Sequence, residues 1–247
     1  MLLLKMFHRK WLIPTLLVLA GTALCIRLGI WQLDRLEQRR AFNAQFESAR
    51  SQPVLDLNRE QPENIAEMEW RSVKVNGKFD FANQVAVRNQ YHGNEYGYHL
   101  LTPLLFDGNA ALVDRGWIPA DGNSAPADWR KYDEAGTANI VGQIRLGQGK
   151  PIIGGVADPL PEAGAGLEVW NNADIARIAS QMPYPVLPVY IQPEADADDT
   201  EPPIPFQPPI ELTEGPHFGY ALQWFTFATI LFVGYPFFLR KQETGTK

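Results

Sequence analysis

Two apolar stretches, one near each end of the chain, constrain the fold more than anything between them. Residues 11–26, WLIPTLLVLAGTALCI, carry no charge, and with Arg27 allowed at the edge the stretch reaches Leu33. Residues 217–239, HFGYALQWFTFATILFVGYPFFL, contain no Asp, Glu, Lys or Arg. About 20 apolar residues in a helix cross the roughly 30 Å of hydrocarbon in a bilayer. Both stretches therefore read as transmembrane helices, over 11–33 and 217–239. A cleaved signal peptide needs a short apolar region and a small-residue cleavage site. TALCIRLG offers a poor site and the helical pattern runs on beyond it, so the first stretch reads as a retained anchor.

Lys5, Arg9 and Lys10 precede the first span, and Arg240, Lys241 and Lys247 follow the second. Short basic flanks stay in the cytoplasm. The arm 1–10 and the tail 240–247 are thus expected there, with residues 34–216 outside. Arg35, Arg39 and Arg40 pull the other way, but an even number of spans makes the two termini agree. The outer part holds 15 Lys and Arg against 27 Asp and Glu, a net of −12, where the whole chain is −6. That balance argues against nucleic acid, which needs a basic patch. The single cysteine, Cys25, lies in the first span. It excludes an internal disulfide and a thiolate zinc or copper site within one chain. No Arg-rich, acid-poor transit segment precedes the first span. The expected home is a bacterial inner membrane with the main domain in the periplasm.

Between the spans the period changes. LDRLEQRRAFNAQFESAR, residues 33–50, prolongs the first helix until Pro53 stops it. Alternation then predicts strands over 70–80, 84–90, 98–119, 139–146 and 186–193, with 98–119 split by the turn Asp107-Gly108-Asn109. Asn76-Gly77 reads as a turn, Pro188 as an edge or bulge, and 174–182 as a helix ended by Pro183. Residues 147–166 and the acidic, proline-rich 193–209 read as loops, the second an extended connector. The expected fold is a membrane-anchored α+β protein. Two transmembrane helices flank a β-rich, antiparallel, barrel-like domain over 70–193.

Most motifs dissolve on inspection. Glu194, Asp196, Asp198 and Asp199 lack the ligand register and glycine of a calcium loop. Gly147 and Gly149 are not followed by the helix a dinucleotide site requires. His92 and His99 have no convincing companions for zinc. No GxSxG is present and no base is paired with a nucleophile. Enzymatic chemistry, a membrane-tethered periplasmic hydrolase included, gains little support. The membrane edges say more. Arg27, at the outer end of the first span, must snorkel or find a partner, and Trp31 sits at the interface where tryptophan is expected. His217, Tyr220, Ala221 and Trp224 share one helical face. An aromatic belt accounts for Tyr220 and Trp224. His217 reads either as an interfacial histidine or as a ligand. A neutral imidazole nitrogen can hold haem iron, and Arg27 or Arg35 could meet the propionates.

LGIWQLDRLEQR, with Gly29, Trp31, Gln32 and Arg35, resembles the first-span motif of the Surfeit-locus-one family. YGYHLLTPL and LVDRGWIP, with Arg115, Gly116 and Trp117, resemble its central strands. HFGYALQWF, with His217, Tyr220, Ala221, Trp224 and Phe225, resembles its second-span signature. Order, spacing and two-span layout match over nearly the whole chain. The resemblance implies a non-enzymatic assembly factor for haem-copper terminal oxidase, mainly cytochrome c oxidase. It implies haem a as a transient cofactor, and as partners the catalytic subunit of that oxidase, the haem a synthesis machinery and membrane lipid. It implies His217 as the iron ligand. Tyr220 and Trp224 are expected to line the same face, Trp31 to pack across from them, and Arg27 or Arg35 to meet the propionates. A scaffold that binds oxidase subunits without haem is the alternative. Two positions depart from the family pattern. Asp114 stands where the family often has Asn, and Gly215-Pro216 precedes His217 where it often has two asparagines. Any role of those asparagines in orienting the imidazole is expected to be lost.

Overall fold

The computed structural model describes residues 8–149, 155–159, 166–195, 200–205 and 210–244. The chain divides into a helical unit, Met1–Gln45 with Ile210–Lys247, and a β unit, Phe46–Pro209.

The helical unit contains α1 (Arg9–Ser51) and the last helix, α4 (His217–Thr244). Both are long and apolar enough to cross a membrane, which fits a membrane-anchored protein. Their antiparallel seam is built on small side chains. Thr15, Thr22 and Cys25 of α1 and Ala221 and Ala228 of α4 are buried, while Leu17, Leu24, Ile230, Phe232 and Phe237 are exposed. Thr15, Thr22 and Gly29 recur every seven residues, as do Ala221, Ala228 and Tyr235. Such a repeat keeps one face of each helix on its partner. Helices in lipid gain little from burying large apolar groups against each other, so they associate by close approach of small residues and by polar clips. Gly29 shows the closeness: a Cβ there would lie 2.7 Å from the Phe225 ring. Thr15 Oγ1 and the Tyr235 hydroxyl, 2.8 Å apart, form one clip. α1 ends at Ser51, two residues before Pro53. Residues 1–7 of the expected cytoplasmic arm and 245–247 of the tail lie outside the described residues.

The β unit holds eight strands: β1 (Leu55–Asp56), β2 (Ser72–Phe79), β3 (Val85–His92), β4 (Glu95–Phe106), β5 (Asn109–Pro119), β6 (Ala138–Arg145), β7 (Val169–Trp170) and β8 (Val186–Pro193). Two short helices, α2 (Pro126–Trp129) and α3 (Ile175–Ala179), accompany them. The strand order is β1-β2-β6-β8-β5-β4-β3-β7, and an added β2–β4 pairing closes β2, β6, β8, β5 and β4 into a barrel. Val73, Val75, Leu104, Val113, Ile144 and Ile191 fill it. A second cluster, with Val87, Leu101, Trp170 and Ile178, lies under α3.

Several expectations are refined here. The barrel is present, but β5 and β8 run parallel, as do β1 with β2 and β3 with β7. Alternation reports which face a residue takes, and says nothing of strand direction. Asn76-Gly77 is not a turn: both residues lie inside β2, opposite Asn139 and Ala138. β2 changes partner just beyond them, pairing Lys78 and Phe79 with β4. A Cβ at Gly77 would lie 2.5 Å from the Leu105 carbonyl oxygen. Glycine in a strand marks such a corner as readily as a turn. Pro188 sits in a bulge rather than on an edge, because β8 lies between β6 and β5 and its register shifts there. The helix expected over 174–182 is α3, five residues long, capped by the Asp174 carboxylate accepting from Arg177 N–H. Parts of both expected loops, 150–154, 160–165, 196–199 and 206–209, lie outside the described residues.

Candidate functional site

The chain enters α4 through Gly215, at φ +68, and Pro216, whose carbonyl accepts from Tyr220 N–H at 3.1 Å. Proline suits this place because the N–H it lacks would have no partner in a first turn. The segment before it is strapped to the extension of α1. Arg39 donates to the carbonyls of Glu211 and Thr213 at 2.5 and 3.1 Å, and Asn43 donates to Leu212 at 3.0 Å. Arg40 forks onto Glu214 at 2.7 and 2.9 Å, and those hydrogen bonds hold the Glu214 carboxyl below its usual range.

His217 is the first residue of α4 and half-buried. Its Nδ1 lies 2.8 Å from Oε1 of Gln32 on α1. An amide oxygen only accepts, so Nδ1 carries the proton and donates. In a neutral imidazole Nε2 then keeps its lone pair. Gly215 lies beside that edge of the ring: a Cβ added there would be in contact with it, 3.4 Å from Cδ2 and 3.5 Å from Nε2. A ligating histidine has its other ring nitrogen held by a hydrogen bond, and Gln32 supplies such a bond here. The imidazole is thus held from the other helix, by Gln32.

The remaining predicted site residues are placed less tightly. Trp31 is 40 % and Tyr220 48 % exposed, while Trp224 is half-buried on the seam side with Ala221. Arg27 is exposed. Arg35 is exposed, donates to Gln38 Oε1 at 2.9 Å and lies over the Trp31 ring at 5.6 Å. His217 and Gln32 are thus joined directly, and no contact of Arg27 or Arg35 with His217 occurs among the described residues. The Gln32 role and the Arg39–Arg40–Asn43 strap escaped the sequence reading. Gln32 follows Gly29 by one turn on the seam face, which is the signal that could have found it.

The central motif proves structural in most of its members. Arg115 is buried, donates to Gln84 at 3.3 Å, to Glu134 at 2.7 Å and to the Tyr132 carbonyl, and faces the Phe79 and Phe81 rings. Gly116, at φ +117, is required because a Cβ would meet the Ile204 carbonyl at 2.3 Å. Trp117 exchanges backbone hydrogen bonds with Ile204. Asp114 does something else: its carboxylate holds His99 Nδ1 at 2.9 and 3.0 Å.

Comparison with known proteins agrees with this layout. The SURF1 family model matches residues 19–229. A SURF1-like protein of Caenorhabditis briggsae is 26 % identical over 90 % of this chain and 74 % of its own length. An uncharacterised SURF1-like protein of Mycobacterium tuberculosis is 25 % identical, covering 92 % and 83 %. Surfeit locus protein 1 of Mus musculus is 27 % identical, covering 85 % and 70 %. The matched region takes in the Gln32–His217 pair, most of α1, the first part of α4 and the whole barrel, so the chain belongs to the SURF1 family.

Proposed function

We propose that this chain is an assembly factor for a haem-copper terminal oxidase, cytochrome c oxidase, that holds haem a and passes it to the catalytic subunit. SURF1 proteins are a family of oxidase assembly factors, and the observation that carries the finer reading is the Gln32–His217 hydrogen bond. It favours the tautomer in which Nε2 keeps its lone pair, the form of imidazole that binds a metal. Haem a is cargo here: the iron takes the Nε2 lone pair, and the macrocycle finds apolar contact on Trp31, Tyr220 and Trp224. Arg27 and Arg35 are the cations for its propionates. The basic flanks support a topology with both termini in the cytoplasm and the β unit in the periplasm of a bacterial inner membrane.

The test is purification of the full chain with haem a supplied, followed by visible spectra. Wild type should show a bound haem, His217→Ala should lose it, and Gln32→Leu should weaken binding about 10- to 100-fold, the usual cost of losing a partner of a ligating histidine. No bound haem in wild type leaves a scaffold that meets oxidase subunits only. Equal binding by wild type and His217→Ala removes His217 as the ligand. Unchanged oxidase activity and haem content in a deletion strain would refute the assembly role altogether.

A further inference from the structure

The β unit carries a polar cavity that the haem reading leaves unused. Its volume is about 220 Å³, and its polar lining is Gln90, Tyr91, His99, Asp114, Tyr190 and Gln192. Liquid water takes about 30 Å³ per molecule, so the space suits a ligand of a few heavy atoms. Two irregularities of the sheet meet at its wall. The β3–β4 register shifts between Val87 and Gln90, where Asn89 has φ +64, and the β4–β5 register shifts between His99 and Leu101. Bulges re-aim side chains and gather at sites, and a positive φ outside glycine is costly enough to be worth explaining.

Three of the lining side chains, His99, Tyr190 and Gln192, have donors to offer. The His99 and Asp114 side chains are only 12 % and 9 % exposed. The Asp114 carboxylate is occupied by His99 Nδ1 and by Gly116 N–H at 3.1 Å. His99 Nε2 makes no hydrogen bond among the described residues. Burial opposes charge on His99, but the Asp114 carboxylate outweighs it and lifts the imidazole above its usual value. Burial, and after it Asp114, pushes the Tyr190 phenol up to about 12, so it keeps its proton. Gln192 spends its carbonyl on Arg145 Nη1 at 2.6 Å, which leaves its N–H groups. The titratable and charged groups around His99 are Asp114 on β5, Tyr91 on β3 and Tyr190 on β8, with Arg145 on β6 and Glu69 beyond Tyr190. Both acids are paired, Asp114 with His99 and Glu69 with Arg145 at 3.5 Å. The histidine and its orienting acid resemble two parts of a hydrolytic triad. The cavity wall offers no Ser, Thr or Cys among the described residues, so the pair is better suited to binding. Residues that can present an imidazolium N–H, a phenol O–H and amide N–H groups line one space, and such a donor set matches an oxyanion.

We propose that this cavity binds the carboxylate group of a small acid, held by His99 and Tyr190, with Asp114 as the positioning residue. The site does not depend on haem and serves a second ligand in the β unit. The full chain in detergent, with its histidines labelled with nitrogen-15, tests it by NMR. His99→Gln identifies the His99 signals among the four histidines. Sodium acetate should shift those signals saturably and raise the His99 pKa, while sodium chloride at equal ionic strength should not. Acetate affinity should then fall about tenfold per pH unit above that pKa, because the charged imidazole is the form that binds. Tyr190→Phe, which keeps the ring, should weaken acetate binding about tenfold, and Asp114→Asn should abolish it at neutral pH. Should Asp114→Asn fail to fold, Tyr190→Phe still decides. The proposal falls if acetate produces no saturable shift, if chloride does the same, if inorganic phosphate binds and acetate does not, or if Tyr190→Phe binds as wild type does.

Discussion

The β unit buries its largest side chains and the helical unit exposes its own. Trp129 and Trp170 are each 1 % exposed inside the β unit, whereas Phe232 and Phe237 are 62 % and 67 % exposed on α4. The two units answer to different solvents. In water the large apolar groups supply the driving force, so they go inside. In lipid they gain nothing by meeting each other, so small residues take the seam and the large ones face outward. Polar groups differ in the same way. The β unit surrounds its buried Arg115 with Gln84, Glu134 and the Tyr132 carbonyl, while the helical unit uses isolated clips such as Thr15–Tyr235 and Gln32–His217.

The contrast is open to direct attack. The largest effect should follow Trp170→Ala, which empties a fully enclosed site in the β unit and should cost about 3–5 kcal/mol. Denaturant unfolding of the full chain reads it. Phe232→Ala, removing a similar ring from α4, should leave stability in detergent nearly unchanged. Equal losses in the two variants would mean that both units are packed by the same force.

Gly29→Leu comes next. It forces a side chain into the Phe225 ring and should weaken the helix pair by about 1–3 kcal/mol, the usual cost of overpacking. Unfolding in bicelles measures it, and the Gln32–His217 hydrogen bond should be lost as the two helices move apart. A neutral result would show that the seam is not close-packed.

A smaller, pH-dependent effect belongs to Asp80. Burial raises its carboxyl, but hydrogen bonds from Asn83, Tyr184 and Ala82 N–H outweigh it and set it below its usual value. A depressed folded value contributes stability above the unfolded value of about 3.9 and loses it as pH falls through the folded one. Asp80→Asn should therefore be less stable than wild type at neutral pH, with the gap closing in acid. A gap that persists unchanged to the lowest pH would assign the effect to shape alone. His99 has the opposite sign: its raised value stabilises below about 6.5 and that contribution fades as pH rises through the folded value.

The smallest effect should come from Arg40→Gln. The Arg40–Glu214 pair is exposed, with side chains 58 % and 50 % accessible, and water and salt screen it. Thermal melting in moderate salt should not distinguish it from wild type. A clear loss would make the strap before α4 a structural element of the helical unit in its own right.

Much of this was legible before any fold was in hand. Long uncharged runs specify membrane helices because a bilayer leaves few other solutions, and alternating runs specified every strand of four residues or more. Gly29 and His217 stood out as well, but their reasons did not. Gly29 answers to a ring 196 positions away, and His217 to an amide 185 positions away. Likewise His92 and His99 look alike in sequence, yet His99 alone is paired with Asp114 across a bulge.

By itself, then, the amino-acid order determined the two spans, the strand segments between them, the acidic charge of the middle and the family. Periodicity and solvent preference are local properties, so local sequence carries them. Tertiary structure alone decided that β5 and β8 run parallel, that Gly77 turns a barrel corner inside a strand, that Gln32 holds the imidazole, and that His99 and Tyr190 line one cavity. Each of these is a meeting of residues far apart along the chain. Closure of the barrel and the helix pair brings them within hydrogen-bonding or van der Waals distance.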